Sequence, residues 1–109
     1  MKIHFYSNII DLEPIYKDLI LLELEEHEYK ELILIAETTV YHAVINIILT
    51  ELKDGDKKVF LKLLDKNDNN GIWEHLGKNI TNIKDLIQKE VSLVIKELRK
   101  DIHATDNKL

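Results

Sequence analysis

Between residues 27 and 52 the apolar positions Leu32, Ala36, Val40, Ala43, Val44, Ile47 and Ile48 recur with the period of an α-helix, about 3.6 residues, over about five turns. Stepped at about 100° per residue, they cover more than half of the helix circumference. A helix that apolar belongs either at the centre of a bundle or in an interface between chains. This run constrains the fold before anything else does, because the remaining segments must surround it.

Those segments read as shorter helices. Three glycines and one proline leave little material for hairpin turns, so a sandwich or barrel is excluded. A first helix is expected over about 12–22, with Asp11 as N-cap, Pro14 in the first turn, and Leu12, Ile15, Leu19 and Leu22 at helical spacing. Asp54-Gly55-Asp56 breaks the chain, and a third helix over about 56–66 presents Val59, Phe60, Leu63 and Leu64. The polar stretch Asp65 to Gly71 reads as a loop, followed by a short helix over about 72–76 that stops at Gly77, a residue suited to a left-handed terminus. A last helix starts near Asn82 and carries Ile83, Leu86, Ile87, Val91, Val94, Ile95, Leu98 and Ile102 as its buried stripe. Upstream, Ile3-His4-Phe5-Tyr6 alternates like a strand but has no second strand to pair with. Residues 1–10 are therefore expected to form an apolar arm on the helices, and residues 104–109 a frayed tail. The expected architecture is all-α: one domain over 1–109, a compact bundle of four to five helices with one long central helix.

Composition narrows the function classes. A chain of 109 residues buries roughly two-thirds of its unfolded surface, and 45% apolar residues suffice for a core. With no cysteine, disulfides, thiolate metal sites and thiol nucleophiles are excluded. The net charge of −5 argues against a broad nucleic-acid surface. Residues 1–54 hold 4 lysines against 11 carboxylates, peaking at Glu23, Glu25, Glu26, Glu28 and Glu31, where acid complements a helix N-terminus. The opening residues lack the apolar core of a signal peptide. Uninterrupted apolar runs such as Leu19 to Leu22 fall far short of the roughly 20 residues a membrane span needs. A cytoplasmic protein with no membrane or nucleic-acid partner is the expectation.

Chemistry-bearing patterns are few. Asp65 to Gly71 places oxygen side chains at alternate positions, but a calcium loop needs its glycine sixth and a glutamate twelfth, and both registers fail. The residues three before His27, His42, His75 and His103 are Leu24, Thr39, Ile72 and Lys100, so no Glu-x-x-His pair exists, and no metal site or cofactor is expected. Arg99 and His103 resemble the arginine–histidine pair of small helical ribonucleases, with three intervening residues where that motif has four to six. At the end of a helix they read instead as solvated cations. On the long helix, Thr38, Thr39, His42 and Asn46 form a narrow uncharged polar stripe able to line a ligand pocket, while Glu37 falls on the apolar arc, where an unpaired carboxylate is costly. Ser7 and Ser92 sit in no nucleophile motif, so no catalytic residue is assigned.

The segments Asp18-Leu19-Ile20-Leu21-Leu22-Glu23-Leu24, the long helix to Leu52, Phe60-Leu61-Lys62-Leu63-Leu64 and Ile80 to Glu97 together resemble a group of small uncharacterised all-helical domains found largely in candidate-phylum bacteria. Thr81 stands where that pattern has proline, and His42 lies near its arginine. The resemblance implies a helical fold and no activity. The leading expectation is a non-enzymatic module that binds a protein partner or a second copy of itself, with Val40, Val44, Ile48 and Trp73 as interface anchors. The alternative is a ligand-binding or enzymatic domain using Thr38, Thr39, His42 and Asn46.

Overall fold

Two long helices set the axis of the molecule. A computed structural model describes residues 3–108, with side chains through residue 104. Five helices occupy the described residues: α1 Glu13–Ile20, α2 Glu26–Glu51, α3 Asp54–Asp65, α4 Asn69–Asn79 and α5 Ile83–Lys108, with no strand. The all-α bundle with one long central helix is the observed architecture. α2 and α5 run antiparallel: Ala36 shares a cluster with Ile95, Leu98 and Ile102, and Ile48 shares one with Ile83 and Ile87. α1 packs across both at one end, α3 pairs with α4 at the other, and the particle measures 49 × 23 × 21 Å.

The core divides along this axis. Near α1, Ile15, Leu19 and Ala36 are buried against Tyr29, Leu32 and Ile33. Near α3 and α4, Val40, Val44, Ile48 and Leu52 of α2 meet Phe60, Ile72, Leu76, Ile87 and Val91. The arm joins the second cluster, burying Phe5 and Tyr6. Phe5 sets its ring edge-on to Phe60 and Trp73, and its carbonyl accepts the Trp73 indole N–H at 3.0 Å. The Gln88 side chain of α5 donates to the Ile9 carbonyl at 2.9 Å. Exchange of backbone polar groups with distant side chains holds this irregular segment in place of a sheet ladder.

Helix limits follow local chemistry. Asp11 Oδ1 accepts the Glu13 N–H at 3.0 Å where α1 begins, and the chain turns out of α1 through Glu23, held left-handed at φ 54°. α4 starts three residues before its expected position, because Asp68 accepts the Gly71 N–H at 3.0 Å and caps it. It also ends later, at Asn79, so Gly77 is an interior helical residue. The left-handed turn before α4 falls to Asn67, at φ 56°. α5 continues to Lys108 through residues expected to fray, while Leu109 lies outside the described residues.

These placements give two glycines opposite signs. A Cβ at Gly77 meets nothing within 4 Å, so Gly77→Ala is expected to stabilise the chain by about 0.5–1 kcal/mol through helix propensity. A Cβ at Gly71 collides with the Asp68 carboxylate and meets Leu63 at 3.0 Å, so Gly71→Ala is expected to cost about 1 kcal/mol by displacing the cap. Urea unfolding of the two variants beside the parent chain measures both.

Candidate functional site

Each turn of α2 contributes both to the core and to the surface. Val40 is 1% exposed and Val44 and Ile48 are 0% exposed. These three expected interface anchors are therefore corrected: they fill the monomer's own core, at the centre of the apolar arc that α5, α3 and α4 cover. Trp73 is likewise spent internally, on the Phe5 carbonyl and ring, with Lys84 Nζ 5.3 Å from the indole centroid. The surface of α2 is carried by Leu34 at 65% exposure and Ile35 at 52%, together with Thr38, Thr39, His42, Asn46 and Thr50. From Leu32 to Thr50 the only formally charged residue is Glu37, so this free face is uncharged in a chain that is 32% charged overall.

The expected polar stripe is divided by the fold. Thr39, His42 and Asn46 line an open trough beside α5 with Glu90 and Val94, whereas Thr38 lies on the other flank with His4, Leu34, Glu37 and Tyr41. Thr39 and Thr50 turn their hydroxyls back on the carbonyls of Ile35 and Asn46, both at 2.8 Å, which occupies their donors within the helix. His42, Asn46 and Glu90 are the polar side chains that remain in the trough.

Convergence occurs on the Thr38 flank, where the arm, α1 and α2 border a half-open cavity of about 150 Å³. Tyr6 comes from the arm, Asp11 and Glu13 from the entry to α1, Tyr16 from α1, and Glu37 from α2. The Tyr16 hydroxyl donates to Glu37 Oε1 at 3.3 Å, which gives the carboxylate on the apolar arc its partner. Tyr6 is 2% exposed and lines the cavity, and its hydroxyl makes no hydrogen bond among the described residues. Burial, with Tyr41 and Glu37 nearby, raises the Tyr6 phenol well above its ordinary range. Burial and then Glu37 push Tyr16 up to about 12. Both phenols are neutral at physiological pH beside an ionisable carboxylate. The His4 ring stacks on Tyr6 at 5.0 Å between centroids and lies 5.1 Å from Tyr41. Among the described residues no lysine or arginine lines this cavity.

A second cluster ties α1 to α5. Asp18, with its side chain 8% exposed, accepts Arg99 Nε at 2.7 Å and Arg99 Nη2 at 3.4 Å, and His103 Nε2 lies 3.2 Å from the same carboxylate. Arg99 and His103, expected as solvated cations, are held by this aspartate. The arginine hydrogen bonds first, then those of His103, hold the Asp18 carboxyl below its usual range against the opposing effect of burial. Among the described residues no group of three or more histidine or carboxylate side chains is arranged to hold a metal ion. Comparison with protein-family models, curated proteins and solved structures gives no match for this chain.

The lowered Asp18 value fixes the sign of a pH effect. A carboxyl whose folded value lies below its unfolded value stabilises fully above the unfolded value, and that contribution is lost as pH falls through the folded one. Asp18→Asn is therefore expected to lower the melting temperature at pH 7. It is also expected to flatten the dependence of melting on pH below about 4, the range in which an ordinary aspartate titrates. Thermal melts across that range check both effects.

Proposed function

We propose that the chain is a non-enzymatic helical module that assembles with a second copy of itself through the free face of α2. One observation carries this reading: Leu34, Ile35, Thr38, Thr39, His42 and Asn46 face away from the core and form an uncharged surface. A twofold interface sets the same patch on both sides, so it needs self-complementarity rather than opposite charge. Antiparallel α2 pairing meets that need. It brings Glu26, Glu28 and Glu31 of one copy toward the far end of the other helix, where Lys53, Lys57 and Lys58 balance Glu51, Asp54 and Asp56. Parallel pairing would set the acidic ends against each other. The anchors of this reading are Leu34 and Ile35, in place of the buried valines and Ile48.

By length and composition, counting its buried residues, α2 is apolar enough to cross a membrane. In the bundle it buries one side against α1 and α5 and keeps threonines, His42 and Asn46 on the other.

Two variants separate core from interface. Light scattering at increasing concentration is expected to give twice the 12.8 kDa chain mass for the parent protein, and the chain mass for Leu34→Glu/Ile35→Glu with helicity unchanged. Val44→Asp places an unpaired carboxylate at a site 0% exposed and is expected to abolish cooperative unfolding, because the cost of several kcal/mol is comparable with the whole stability of a domain, about 5–15 kcal/mol. A parent chain that stays at 12.8 kDa up to millimolar concentration overturns the self-assembly reading.

A further inference from the structure

We propose that the cavity between the arm, α1 and α2 is a binding site for a small alkylammonium cation. Four observations select that chemistry. Its volume of about 150 Å³, in a cavity half open to solvent, is that of a site that accommodates a benzene-sized molecule and suits a short amine. Its charge is weighted to acid: Asp11, Glu13 and Glu37 line it beside His4, and among the described residues no lysine or arginine does, within the half of the chain where carboxylates outnumber lysines 11 to 4. An anion is repelled on entry.

Its hydrogen-bonding capacity is unfilled. Tyr6, a side chain 2% exposed, lines the cavity, and its hydroxyl makes no hydrogen bond among the described residues. Glu37 receives one long bond, from Tyr16 at 3.3 Å, and has further lone pairs to offer. An ammonium group fits this set, because it only donates: one N–H to Glu37 and another to the Tyr6 oxygen. Finally, Tyr6 and Tyr16 bring aromatic rings to the walls, and aromatic walls with a carboxylate are the arrangement that favours alkylated ammonium over a hydrated metal ion.

The cation has two sources, a free amine or the side chain of a lysine on another protein. A ¹H–¹⁵N NMR titration of the full chain tests the shared chemistry, with n-butylammonium as probe and butyrate, n-butanol and calcium chloride as controls. Saturable shifts confined to residues 4–16 and 36–41, given by the amine and by none of the controls, are the expected result. Glu37→Gln is expected to weaken the amine at least about tenfold, as for loss of a charge-assisted hydrogen bond, and Tyr6→Phe, which keeps the ring, about threefold. Nα-acetyl-lysine methylamide binding more tightly than butylammonium assigns the source to a protein side chain; the reverse order assigns it to a free amine. Equal shifts from butyrate or n-butanol, binding of calcium in place of the amine, or a Glu37→Gln or Tyr6→Phe chain that is folded and binds undiminished overturns the proposal. So does the absence of any saturable shift by about 50 mM, beyond the millimolar end of specific affinities. The Leu34→Glu/Ile35→Glu variant is expected to bind the amine as the parent does, so failure of self-assembly and failure of this site are separate results.

Discussion

Phe5 sits where the arm, α3 and α4 meet. Its ring closes the larger core cluster against Phe60 and Trp73, and its carbonyl answers the indole N–H that would otherwise be half-buried and unpaired. With Phe5 fixed, the adjoining residues have little freedom: Tyr6 turns inward beside Tyr41, and His4 lies across both rings. The wall of the cavity is thus a by-product of a plug. A segment with no helix or sheet of its own becomes ordered because an aromatic anchor buries enough surface to offset the entropy of fixing it.

α2 imposes the complementary constraint. It is apolar over more than half of its circumference and must be covered there, and among the described residues four other helices and an arm do so. α5 runs its length, α1 takes one end, and α3 and α4 take the other. What remains is a face from which the sequence has removed charge without making it greasy. Threonine hydroxyls are folded back onto the helix, and isolated Leu34 and Ile35 stand among them. This intermediate character separates a surface that can pair reversibly from one that must be buried for the fold to exist.

Periodicity made the helices legible, because spacing along a helix is a local property. It located the apolar arc of α2 as well, but not its coverage: that Val40, Val44 and Ile48 belong to the monomer depends on Phe60, Ile72 and Ile87, which arrive from other segments. Glu37 could be singled out as a carboxylate in the wrong place, whereas its partner Tyr16 lies 21 residues away, with nothing in the intervening sequence to mark it. Asp18 is the clearest case. Arg99 and His103 share a helix face by spacing, but the aspartate that holds them is 81 and 85 residues upstream, and its only signal is a place beside the apolar stripe of α1. The limits of α4 were misplaced for a local reason: Asp68 and Asn67 supply the cap and the left-handed turn, which left Gly77 free to remain helical.

The reach of the arm also sets an order of events. Its anchoring bonds span 68 residues to Trp73 and 79 to Gln88, and Asp18 finds Arg99 across 81. At about 5–20 residues per second, intervals of that length take several seconds to synthesise. Throughout that interval α2 already exists with its apolar arc uncovered. The arm and Asp18 are therefore secured only after the helices that follow them in the chain. A chain that stops before α5 leaves open the arc that Ile87 and Val91 cover in the finished bundle.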